Sequence, residues 1–122
     1  MQFLISSIIL LTIDYIYLSL TASEFLTMVK QIQKSPAVIR RTGAIASYIL
    51  MILGLNTFIL NEKKSPMMAA VLGFIIYGVF DAVNYALFKK YDIIIALKDA
   101  IWGGILFYIT TYLTYLVGNN LR

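Results

Sequence analysis

Three aspartates stand where a membrane-spanning helix should be oily: Asp14, Asp81 and Asp99. Asp81 belongs to the stretch Tyr77-Gly78-Val79-Phe80-Asp81-Ala82-Val83-Asn84-Tyr85, inside an apolar run from Met67 to Phe88. Burying an aspartate in hydrocarbon costs at least about 2.5–3.5 kcal/mol even on lenient insertion scales, which makes three unrelated accidents a poor explanation. The acids are therefore expected to face a bundle interior, where they share protons or meet a cation. Helical spacing gives each of them polar company. Tyr77, Asp81, Asn84 and Tyr85 share one face, Ser7, Asp14 and Tyr17 a second, and Asp99, Trp102 and Gly103 a third. Tyr48 enters from another apolar run at similar depth, and Lys98 is the one cation placed to reach the cluster from inside a span. The candidate ligand- or ion-binding residues are thus Asp14, Asp81, Asn84, Asp99, Tyr48 and Trp102, with Tyr17, Tyr77, Tyr85 and Lys98 in support. No catalytic residue is assigned and no cofactor is expected; the identity of any metal is open.

The rest of the composition narrows the chemistry. The chain has no cysteine, which excludes disulfides, thiolate metal sites and thiol nucleophiles, and no histidine, which removes the commonest general base. Of its 122 residues 61% are hydrophobic and only 13% charged, against about 45–50% and about 25% in soluble domains, so lipid is the expected solvent. The net charge of +4 comes from lysines and arginines between the apolar runs. Such charges flank membrane helices and meet anionic lipid; nucleic acid is not an expected partner.

Four elements must position the acids, within one transmembrane domain over residues 1–122. Apolar runs over about 3–20, 43–60, 66–88 and 93–117 are each long enough to span a hydrocarbon core of about 30 Å. A signal peptide is the weaker reading of the first, because Met1-Gln2 supplies no basic region. Thr21-Ala22-Ser23-Glu24 reads as a capping box opening a short amphipathic helix, with Phe25, Met28, Val29 and Ile32 on one face, that lies at the membrane interface and ends at Ser35-Pro36. Gly43 with Ser47, and Ala69 with Gly73, are small-residue pairs that allow close helix packing. Ser65 suits the N-cap and Pro66 the first turn of the third span, Asp92 caps the fourth, and Gly118-Asn119-Asn120 ends it. Asn56, deeper in the second span, is expected to bond another helix. Tyr91, Tyr108, Tyr112 and Tyr115 read as interface or packing residues.

Each aspartate lies about seven residues from the helix end that faces the first and third loops, which puts all three about 10 Å below one membrane surface. Those loops carry Lys30, Lys34, Arg40, Arg41, Lys89 and Lys90, whereas the opposite side has Lys63, Lys64 and Arg122. Counting positive charge makes the first and third loops cytoplasmic and the termini external.

The motifs carry a resemblance. Ile13-Asp14-Tyr15-Ile16-Tyr17-Leu18 resembles the LDxxWL opening of the domain-of-unknown-function 2177 family of small membrane proteins. Gly54-Leu55 followed by Phe58 is similar to its GLxxF pattern. Tyr77 to Asn84 is similar to its YGxYDxxN motif, and Asp99-Ala100-Ile101-Trp102-Gly103 to its DxxWG motif. Tyr17 stands where the family tends to have Trp, and Phe80 where it tends to have Tyr. The resemblance implies four spans and singles out the same three aspartates, Asn84 and Trp102. It implies no activity.

The expected fold is all-α: an integral membrane four-helix bundle with a short amphipathic interfacial helix between its first two spans. The leading functional reading is a small transporter or channel-like protein whose acids bind a cation or relay protons, in a bundle so small that it would work as a homo-oligomer. The rivals are a structural or assembly subunit whose polar residues only fix helix packing, and an intramembrane enzyme acting on lipid.

Overall fold

The computed structural model describes residues 1–120, so Arg122 lies outside it. The chain forms α1 (Gln2–Gln33), α2 (Arg41–Leu55, continued by a π-helical turn over Asn56–Leu60), α3 (Pro66–Leu87) and α4 (Ile93–Asn120). All four helical segments, with α2 and its π turn as one, are long and apolar enough to cross a membrane. Large apolar side chains such as Ile49, Leu53, Phe74, Val79 and Ile105 point outward, as they must where lipid is the solvent.

Local chemistry sets most of the helix ends. The Ser65 side chain accepts from the Met68 N–H at 3.2 Å with Pro66 in the first turn, and Asp92 Oδ1 accepts from the Ile94 N–H at 2.7 Å. α4 runs through Gly118 and Asn119 to Asn120, past the expected stop. A glycine without a following proline does not force a helix to end.

The larger departure is α1. A separate interfacial helix does not form: residues 21–33 continue α1 without a break. Thr21, expected to cap a new helix, instead donates its hydroxyl to the Tyr17 carbonyl at 2.8 Å, and Thr27 does the same to Ser23 at 2.7 Å. With no glycine or proline before Pro36, extending a helix is easier than nucleating a second one. At 32 residues α1 is about 48 Å long, well beyond a hydrocarbon core of about 30 Å. Its amphipathic face packs on protein. Met28 is buried with Tyr91 and Ala96, and Phe25 and Ile32 lie against them. Lys34, in the left-handed conformation, ends the helix.

Two ends follow from these contacts. At one, the third loop packs on the last turns of α1, where the Asp92 N–H approaches Met28 Sδ at 3.1 Å. At the other, the terminal end, Gln2 donates to Asn61 at 2.9 Å and the Tyr115 hydroxyl donates to the Lys64 carbonyl at 2.6 Å.

α3 and α4 pack most closely, through glycines. A Cβ on Gly73 would run into the Gly103 carbonyl and sit 2.7 Å from the Phe107 ring; one on Gly103 would sit 2.7 Å from the Gly73 carbonyl. α2 is held more loosely. None of its first eleven residues is buried, and a Cβ on Gly43 would meet nothing within 4 Å. The Ala69–Gly73 pair therefore serves packing inside this chain, and Gly43 does not. The core itself is Leu10, Ile52, Leu55, Ile59, Leu60, Ala69, Leu106 and Phe107.

Candidate functional site

Asp14, halfway along α1, is buried at 4% exposure among three helices. It accepts a short hydrogen bond from the Tyr48 hydroxyl of α2, and its Oδ1 accepts from the Trp102 indole N–H of α4 at 3.0 Å. Trp102 is fixed on its other side by Tyr17, whose ring lies flat on it with centroids 3.8 Å apart and planes 5° apart. Both Asp14 oxygens are therefore satisfied, and one carboxylate ties α1, α2 and α4 together.

Asp81 on α3 is as deeply buried, at 2% exposure, but only half satisfied. Its Oδ1 accepts from the Tyr91 hydroxyl at 2.8 Å. Its Oδ2 is buried without a hydrogen-bond donor among the described residues. Asp99 of α4, partly buried, lies one turn from Gly103 toward the loop end, and Asp81 lies one turn from Tyr77 in the same direction; because Tyr77 packs on Gly103, the two acids face each other across the α3–α4 contact. Tyr77, one turn from Asp81 on α3, packs its ring against Gly103 of α4. Asp99 also lies one turn of α4 from Trp102, the residue that donates to Asp14. Among the described residues no three acidic side chains converge tightly enough to ligate one metal ion.

Tyr91 is the residue that the sequence reading placed among interface aromatics and the fold places in the site. It is 5% exposed, donates to Asp81, and meets the Phe25 ring edge-on at 6.4 Å. Burial first, then the Asp81 carboxylate, push its phenol well above the ordinary tyrosine range, so it stays a donor. Asn84, partly buried, lies on the next turn of α3 after Asp81. Tyr85, half exposed, takes no part. Lys98 points away from the acids to an exposed ion pair with Glu24 at 3.4 Å. Tyr91's role has no local signature. It rests on the return of the third loop over Asp81, ten residues earlier in the chain.

Sequence register extends the arrangement. Asp14, Tyr48 and Trp102 meet at one level. Four residues farther toward the terminal end on each helix stand Leu10, Ile52 and Leu106, all buried and in one apolar cluster. Four residues farther again stand Ser6, Asn56 and Thr110, also buried. Polar, apolar and polar layers follow each other at intervals of about 6 Å.

Two surface grooves contain no acid of the cluster. One, of about 420 Å³, is apolar and runs on the outside of α3 and α4 past Ala70, Phe74, Gly104 and Tyr108. The other, of about 360 Å³, lies at the loop end between Glu24, Thr27, Gln31, Lys90 and Asp92. No curated protein and no solved structure shows detectable similarity to the chain. A family model described as a predicted membrane protein of unknown function, DUF2177, matches residues 1–116. The motif resemblance, the four apolar helices and this match over nearly the whole length agree, and the chain belongs to the DUF2177 family of membrane proteins.

Proposed function

We propose that Asp81 and Asp99 hold a proton between them and pass it on as part of a proton-translocating membrane protein. The observation that carries this reading is the buried, donorless Oδ2 of Asp81, with the Asp99 carboxyl at the same level of the facing helix. Two carboxyl groups facing each other where water is scarce resist ionising together, because like charges repel strongly there. A proton shared by the pair satisfies both groups and is the simplest mobile ligand that two acids without a third convergent carboxylate can take. Tyr91 then holds the pair from the loop side through its bond to Asp81. Asp14 has a different part in this scheme. Its oxygens are taken up by Tyr48 and Trp102, and that favours an architectural role in joining helices.

The first and third loops, with six basic residues in or beside them, are assigned to the cytoplasm, so the pair would open toward that side. Labelling tests the assignment in a chain with no native cysteine: Lys63→Cys should react with an impermeant maleimide from outside, and reaction of Lys34→Cys from outside would overturn it.

Purified protein in liposomes under a proton gradient tests the main reading. Flux should be measurable for the native protein and lost on Asp81→Asn or Asp99→Asn. Flux that survives Asp81→Asn sinks the proposal. A loss of stability with no flux in the native protein would favour a polar network that only fixes packing.

A further inference from the structure

The layer nearest the terminal end has no part in the acidic pair, yet it is as deeply buried. Ser6 on α1, Thr110 and Thr111 on α4 are wholly inaccessible, and Asn56 is 4% exposed. Asn56 opens the π-helical turn, a distortion that recurs at functional sites. Its amide donates to Ser6 Oγ at 3.0 Å and to the Ile52 carbonyl at 2.8 Å, which uses both amide protons and leaves the side-chain carbonyl to accept. Thr114 returns its hydroxyl to the Thr110 carbonyl at 2.6 Å, the usual resting place for a threonine in a membrane helix. Thr110 and Thr111 do not: both hydroxyls are buried with no hydrogen-bond partner among the described residues.

We propose that Ser6, Asn56 and Thr110 form a second polar site, whose ligand is water entering from the terminal end. Register puts them together. Ser6, Asn56 and Thr110 each lie eight residues, about 12 Å, from three groups that are hydrogen-bonded to one another, on the same side of them. The Asn56–Ser6 bond holds α1 and α2 at that level. The Tyr115 bonds to Ile59 and Lys64 hold α4 there. A buried hydroxyl without a partner is costly, and water is the common remedy where several polar groups converge. The ligands are neutral hydroxyl and amide oxygens, which suit water and do not compensate a full charge. The wall between this site and the acids is Leu10, Ile52 and Leu106, an apolar constriction of the kind that gates by dewetting. The site stands whether or not the acids move protons.

Two measurements test it. Silver ion, small and water-borne, should react with Ser6→Cys and Thr110→Cys in the folded protein at rates comparable to Gln2→Cys near the surface. Thr110→Val, which keeps the shape and removes the hydroxyl, should lower the melting temperature by a few degrees, because water bonded to the remaining groups loses a partner. Cysteines at both positions that stay unreactive while Gln2→Cys is consumed would overturn the proposal. So would a rise in melting temperature for Thr110→Val, the result expected when a dry, unpaired hydroxyl is removed. If Thr110→Cys fails to fold, Ser6→Cys decides the labelling arm alone.

Discussion

The Trp102 indole N–H donates to Asp14 at 3.0 Å across 88 positions of sequence, and this bond joins the first helix to the last. The indole is also clamped flat by Tyr17, so its orientation is fixed before the hydrogen bond forms. Trp102→Phe retains a ring to stack on Tyr17 but removes the donor. Hydrogen bonds to charged groups contribute about 1.5–3 kcal/mol, and a loss of that size is expected in detergent unfolding. Combined with Asp14→Ala, which removes the acceptor, the two losses should be clearly less than additive, because the second change removes a partner already missing. Full additivity would show that the pair does not interact in the folded protein.

Tyr91 links the third loop to Asp81. Tyr91→Phe keeps the contacts with Met28 and Ala96 but leaves both Asp81 oxygens without a donor from the loop. The expected cost is about 1–3 kcal/mol. Amide exchange should quicken in residues 88–92 and in the last turn of α3, and stay unchanged at the terminal end. Uniform acceleration along the chain would mean that Tyr91 supports the whole bundle and not the loop.

Helix packing gives a paired prediction. Gly73→Ala forces a methyl against Gly103 and Phe107, and overpacking of this kind costs about 1–3 kcal/mol or more. Gly43→Ala meets open space and gains helix propensity, so stability should hold or rise by up to about 1 kcal/mol. Detergent melting curves of both variants check the contrast. A large loss at Gly43 would indicate that this face is covered by another molecule.

What could be read in the sequence, and what could not, divides along physical lines. The acids were legible because an aspartate in hydrocarbon is costly and so must be inward; the count that levelled Asp14 with the others used a helix end at Thr21 that α1 does not have. Ser65-Pro66 and Asp92 were legible because a cap is a local contact. Tyr91 was not, since its partner depends on where a loop returns. Lys98 was misplaced for a similar reason: only the extension of α1 beside α4 supplies Glu24 as its partner. The Asn56 bond to another helix was foreseen, whereas the unpaired hydroxyls beyond Leu106 depend on tertiary packing that no spacing rule encodes.

The continuity of α1 has the sharpest test, because the two readings of Thr21 predict opposite effects of one substitution. In a capping box Thr21 is the N-cap and Ala22 the first helical residue, the position where proline is favoured. Ala22→Pro would then be neutral or stabilising. In the continuous helix, the Ala22 N–H bonds the Leu18 carbonyl and a proline ring clashes with it, at a cost of about 3 kcal/mol or more. The fold requires the second outcome. It also requires that the damage spread from Ala22 toward the loop end, since a kink there swings Met28 away from Tyr91 and Glu24 away from Lys98. Melting curves measure the loss, and amide exchange in the third loop measures its reach. An Ala22→Pro protein as stable as the native one would restore the separate interfacial helix.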